Sequence, residues 1–95
     1  MAAYLFANVE IFDAPGFQDY QSKVAPTLQA YGGRFVVRGG RSEVLEGEFP
    51  LHRMVMLEFP SYELAKQWYD SPGYAPLIPM RQKTARTAVI VMEGV

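Results

Sequence analysis

Residues 31–41 read YGGRFVVRGGR, with two glycine pairs and three arginines around Phe35, Val36 and Val37. How this stretch is read decides the fold. A phosphate-binding loop leads from a strand into a helix, so that glycine amides meet the anion at the helix N-terminus. Here the order is reversed. Upstream, Phe17, Tyr20, Val24, Leu28 and Tyr31 recur at three- and four-residue steps, one apolar stripe of a helix. Gly32 and Gly33 fall just past that stripe, where a left-handed residue commonly ends a helix and glycine takes that conformation without steric penalty. Residues 34–38 then alternate as a strand, Phe35 and Val37 on one face, Arg34, Val36 and Arg38 on the other. Gly39 and Gly40 suit a tight turn with positive backbone torsions into a hairpin partner, RSEVLEG at 41–47. The stretch is expected to end a helix, run a strand and turn, rather than hold an anion.

Working outward, residues 3–11, AYLFANVEI, alternate between Leu5, Ala7, Val9, Ile11 and Tyr4, Phe6, Asn8, Glu10, which predicts a strand with two different faces. Asp13 can cap the following helix, with Pro15 tolerated in its first turn. Pro26 removes the amide that would bond the Ser22 carbonyl, so the helix is expected to continue with a bend there. Residues 52–59, HRMVMLEF, set Val55, Leu57 and Phe59 against Met54, Met56 and Glu58. Ser61 then caps a helix whose buried stripe is Leu64, Ala65, Trp68 and Tyr69, with Glu63 at the positive end of its dipole. The sequence DSPG at 70–73 breaks it, a shorter helical piece covers 74–85 with Pro76 and Pro79 in it, and TAVIVME at 87–93 forms the last strand. Two strand-helix-strand halves predict an α+β chain of one domain, residues 1–95, with the ferredoxin-like split βαβ arrangement: an antiparallel sheet covered by helices on one face.

Composition narrows the function. Nine basic and ten acidic residues give a net charge of −1 without a lysine-rich run, so the electrostatic footprint of a nucleic-acid binder is missing. The start, MAAYLFANVEIF, lacks the basic region of a secretory signal, and no apolar run reaches the ~20 residues of a spanning helix, so a cytoplasmic protein is expected. With no cysteine and one histidine, His52, disulfides, thiolate nucleophiles and a histidine-rich metal site are excluded, and no cofactor or metal is expected. The serines lack the Gly-x-Ser-x-Gly context and a spare histidine.

The uncovered sheet face raises the question of a partner. Tyr4, Phe6, Val36, Met54 and Met56 would leave a large apolar patch in water, which monomers rarely tolerate, and pairing two sheets across a twofold axis would bury it. Four pieces of sequence then carry a resemblance: YGGRFVVRGG, LEGEF in the hairpin, RMVMLEFPSYELAKQWYDSPGYAPLIPMR and the closing VMEG. Together they resemble the domain-of-unknown-function family 1330, in the dimeric α/β-barrel superfamily, over nearly the whole chain. The resemblance implies a ferredoxin-like protomer and a homodimer whose sheets face each other. Relatives in the wider superfamily include cofactor-independent monooxygenases, muconolactone-type isomerases and haem-binding barrels, analogies at the level of fold.

The expected function is to bind a small organic ligand in a pocket between sheet and helices, with a cofactor-independent, monooxygenase- or isomerase-like reaction held open. The alternative is a non-catalytic dimerisation or ligand-sensing module. Arg38, on the mixed face with Asn8, Glu10 and Glu58, would orient an anionic or carbonyl group in walls that include Met56, while Glu10, Glu58 or His52 would move a proton. The bland reading pairs Arg38 with Glu10 or Glu58 at the interface. Trp68 and Tyr74 flank the DSPG break, where one of them or Tyr69 could close a pocket mouth, and Arg81 could meet a ligand carboxylate. Tyr20 is read as core, and Arg34 and Arg41 as solvated charges.

Overall fold

Alternation in the first strand sets the middle of a sheet. The computed structural model describes residues 1–95. The elements run β1 (Ala3–Ile11), α1 (Ala14–Leu28) closed by a 3₁₀ turn (Gln29–Tyr31), β2 (Arg34–Arg38), β3 (Arg53–Phe59), α2 (Tyr62–Tyr69), a 3₁₀ turn (Ala75–Leu77), α3 (Ile78–Thr84) and β4 (Ala85–Glu93). The strands form one antiparallel sheet in the order β2-β3-β1-β4, the ferredoxin-like topology. No helix is long and apolar enough to cross a membrane.

Register fixes the two faces. Leu5 stands opposite Leu57 and Val91, and Ala7 opposite Val55 and Val89. That face packs against the helices: Phe17, Tyr20, Val24 and Leu28 of α1 and Ala65 and Trp68 of α2 join Leu5, Val9, Leu57 and Phe59 in one buried cluster. Trp68, Tyr74 and Phe59 are the largest fully buried side chains. Burying each such aromatic stabilises by roughly 1.5–3 kcal/mol, and this removal of apolar area is the main force holding helices on sheet. The opposite face is open. It presents Tyr4, Phe6, Met54 and Met56, and β4 adds Ile90 and Met92, paired opposite Phe6 and Tyr4.

Caps follow the sequence. The Asp13 carboxylate accepts from the Gly16 amide at 3.1 Å and the Ser61 hydroxyl oxygen from the Leu64 amide at 3.1 Å. Gly32 ends the first helical run at φ +71°, in the left-handed region where a Cβ would be strained.

Four expectations are corrected, while the first helix, expected to continue through Pro26, does so. Residues 41–47 form no strand; the whole of 41–52 is irregular, and β2 pairs with β3 instead, the Gly39 amide donating to the Met54 carbonyl at 2.8 Å. Only Gly39 of its pair has positive φ, so the tight turn that needs two such residues does not form. A register shift between Phe35 and Val37 inserts Val36 as a bulge, so Val37 stands opposite Met56 on the open face and Arg38 opposite Val55 on the helix side. One extra residue thus turns Arg38 away from the face to which strict alternation assigned it. The third helical segment is a 3₁₀ turn and a seven-residue α3, after which β4 begins at Ala85, two residues early.

Candidate functional site

A cavity of about 50 Å³ lies between the sheet and the helices, walled by side chains such as Leu5, Val24, Phe35, Val55 and Val89. Its one polar corner is built by three elements. α1 supplies Tyr20, the segment after α2 supplies Tyr74, and α3 supplies Arg81. The break at 70–73 aims Tyr74 inward: the Ser71 hydroxyl oxygen accepts from the Tyr74 amide at 3.2 Å while its proton goes to the Trp68 carbonyl at 2.7 Å. The Tyr74 ring stacks on Trp68 with centroids 3.9 Å apart, and Trp68 is held by its indole N–H donating to Thr27 Oγ1 at 2.9 Å.

Hydrogen counting shows what this corner asks of a ligand. Arg81 Nη1 donates to the Tyr74 hydroxyl oxygen at 2.9 Å, and the Tyr74 and Tyr20 hydroxyls share one hydrogen bond at 2.7 Å. Neither hydroxyl has another partner. The two O–H groups therefore hold two protons for one mutual bond, and one proton is left without an acceptor. Arg81 adds a second surplus. It is 6% exposed, forms no ion pair, and its Nε is buried without a partner. Burial pulls its pKa down, but the oxygens of Tyr74, Tyr69 and Tyr20 outweigh that and raise it overall, so the guanidinium stays charged. Burial, helped by neighbouring Tyr20, pushes the Tyr74 hydroxyl well above the ordinary tyrosine range, so it stays a neutral donor. The corner is made of donors and a positive charge, and what it lacks is an anionic or carbonyl oxygen.

Two clefts adjoin it. A polar one of about 510 Å³ shares Arg81 and Val89 with it and adds Tyr69, Gln82, Arg86 and Thr87. An apolar one of about 220 Å³ shares Leu5 and Val89 with it and adds Ala65, Lys66, Tyr69 and Asp70. Tyr69 lines both clefts, and its ring centroid lies 5.7 Å from that of Tyr74.

Of the residues singled out from the sequence, the structure brings together Trp68, Tyr74 and Arg81. It does not bring the others to them. Arg38 lies with its guanidinium carbon 4.4 Å from the centroid of the Phe35 ring and pairs with neither Glu10 nor Glu58. Glu58 is engaged on the open face by Arg34, at 2.6 and 2.8 Å, and by the Tyr4 hydroxyl at 3.0 Å. Hydrogen bonds from Arg34 first and Tyr4 second hold its carboxyl below the usual carboxylate range, and the same carboxylate raises Tyr4. Glu10 faces Arg86 at 3.4 Å. The Asn8 amide group donates to the Pro50 carbonyl at 2.7 Å and its oxygen accepts from the His52 amide at 3.1 Å, so Asn8 pins the 41–52 loop to β1. His52 is exposed, and Met56 sits opposite Phe6 on the open face. Tyr20, read from the sequence as core, is buried in the core and also sets its hydroxyl against that of Tyr74. Its signal was a hydroxyl-bearing residue on a stripe otherwise made of Phe, Val and Leu.

A ferredoxin-like protomer with an aromatic, cationic corner under its helices and an open apolar sheet is the class that fold and geometry define. The chain belongs to the family described as a domain of unknown function, DUF1330, which matches residues 2–95. No curated protein matches it. Among solved structures it is similar to a protein of unknown function from Rhodopseudomonas palustris, with 18% identity, a TM-score of 0.76, and 99% of this chain and 82% of that one covered. It is also similar to SnoaB, a cofactor-independent oxygenase from Streptomyces nogalater, with 12% identity, a TM-score of 0.66, and coverage of 99% and 93%. A dimeric ferredoxin-like protein of unknown function from Jannaschia is 12% identical, with a TM-score of 0.65 and coverage of 99% and 100%. At these identities the likeness is one of fold.

Proposed function

We propose that the protein is a homodimer joined through its open sheet faces, and that each protomer takes up a small organic molecule whose body lies in the cleft of about 510 Å³ lined by Arg81 and whose anionic or carbonyl oxygen reaches the Tyr20–Tyr74–Arg81 corner, the inner cavity of about 50 Å³ being too small for the whole molecule. One observation carries the ligand reading: Arg81 is a buried cation with no carboxylate to balance it. Burying an unpaired charge is expensive, and such a residue persists where a ligand supplies the missing charge. The dimer is supported by the exposed apolar residues of the open face and by the dimeric relative from Jannaschia.

Donors already in place around an oxygen stabilise negative charge as it develops, without reorganisation. The corner thus suits a ligand that forms an enolate or phenolate, the kind of chemistry that a cofactor-independent oxygenase such as the Streptomyces relative would draw on. A purely ligand-sensing role has its own support, since no aspartate, glutamate or histidine lines the inner cavity to act as a base. Titration with salicylate and with 1-naphthol tests the site, followed by the fluorescence of Trp68, the only tryptophan, which stacks on Tyr74. Saturable quenching in the natural protein, lost in Arg81→Met, is expected. Equal quenching in both would refute the site. Oxygen uptake with the bound compound then separates enzyme from sensor.

A further inference from the structure

The β2–β3 connection holds a cluster of cations that the cavity does not use. Arg53 stands opposite Val9 and Arg38 opposite Val55, so both point to the helix-covered side at the same end of the sheet, on neighbouring strands and two residues out of register. Like charges at such diagonal positions repel. Nothing in the chain neutralises them: neither Arg38, Arg41 nor Arg53 takes part in an ion pair, although Glu43, Glu46 and Glu48 lie in the adjoining loop.

Their surroundings are shaped for them. Arg53 is half-buried, and its Nε is fully buried without a partner. Its guanidinium occupies the space that a side chain at residue 39 would need, Cζ lying 2.6 Å from where that Cβ would stand, so a substitution there would displace the guanidinium, and φ +70° favours glycine independently. The Arg38 guanidinium lies over the Phe35 ring, its carbon 4.4 Å from the centroid. Gly40, next along, would put a Cβ into open space, so its backbone is approachable.

We infer that the β2–β3 turn binds a phosphate group, free or as the head of a small phosphate monoester, between Arg38 and Arg53. Guanidinium groups match phosphate oxygens two at a time, and two unbalanced cations favour a dianion over a single carboxylate. This is not the phosphate loop of a helix N-terminus. It depends on Arg53, which belongs to a different strand and comes 14 residues after Gly39.

Arginine side-chain Nε–H spectra of the ¹⁵N-labelled full chain test the assignment, with inorganic phosphate in one arm, glycerol 3-phosphate in the other, and sodium chloride holding ionic strength constant. The Arg53 signal should shift saturably while Arg81 stays still, and Arg38→Ala should weaken binding about tenfold, the loss of one charge-assisted hydrogen bond. Tighter binding of the ester than of inorganic phosphate identifies a metabolite head group, and the reverse identifies free phosphate. A shift that follows ionic strength whatever the anion overturns the site. So does one unchanged by Arg38→Ala, or an Arg53 signal that ignores phosphate but moves when Glu43, Glu46 and Glu48 are made glutamine, which would mean that loop carboxylates already occupy the position.

Discussion

Arg81 bears on both function and stability, and the two can be separated. If its role is to hold a ligand oxygen, replacing it by an apolar side chain of similar length removes a desolvation cost and forfeits one hydrogen bond to Tyr74, worth about 1 kcal/mol. Arg81→Met is therefore expected to unfold in urea within about 1 kcal/mol of the natural protein, or to be more stable. A loss of about 3 kcal/mol or more would make Arg81 a structural residue. Tyr74 adds a pH dependence whose sign is fixed by the direction of its shift. Folding raises its pKa, so the folded chain keeps a proton that the unfolded chain releases above pH ~10, and stability falls as pH rises past that point. The slope should reach at most about 1.4 kcal/mol per pH unit, and Tyr74→Phe should flatten it in alkaline denaturation curves. The sequence singled out Trp68 and Tyr74 from the DSPG break between them and Arg81 from the short third helix, and the fold brings the three side by side. The hydroxyl bond of Tyr20 was not legible, because helical periodicity reports burial and says nothing of what a buried oxygen bonds.

At the scale of elements, alternation revealed β1 and β3 and failed where the chain departs from a period of two. A bulge costs one residue and leaves no trace in composition, so the face of Arg38 could not be read from RFVVR alone. The 41–52 loop misled for another reason: Gly39–Gly40 reads like the turn of a hairpin, but β2 is an edge strand whose outer side has no neighbour, and no ladder forms there. The two glycine pairs make the same contrast testable. Gly32 sits at φ +71° with Pro60 Cγ 2.9 Å from where a Cβ would stand, whereas Gly40 has neither constraint. Gly32→Ala should cost about 1–2 kcal/mol, while Gly40→Ala should stay within about 0.5 kcal/mol. Chemical denaturation of both variants checks this. Equal losses would mean that the turn, rather than the helix end, is what glycine serves.

For the whole molecule, the open face determines whether the protomer stands alone. Ile90 is 52% exposed and Met92 40%, and both stand beside Phe6 and Tyr4 on the same side as Met54 and Met56, which makes one contiguous apolar surface. A charge placed there should be harmless to the protomer, because an exposed residue contributes little to its core, and decisive for association, because it would be buried in the pair without a partner. Ile90→Glu is accordingly expected to leave thermal unfolding of the protomer nearly unchanged and to convert a dimer to a monomer in sedimentation at micromolar concentration. A variant that stays dimeric would place the interface elsewhere. Acid should act on the same face. The Glu58 carboxyl lies below its ordinary value through Arg34 and Tyr4, so the stability it contributes is present above the unfolded pKa and is lost as pH falls through the folded one. Protomer stability should therefore begin to fall below about pH 4.5, the ordinary value for the group, and Glu58→Gln should remove that acid limb in urea denaturation. A limb unchanged by Glu58→Gln would show that the Tyr4–Glu58–Arg34 trio does not carry it.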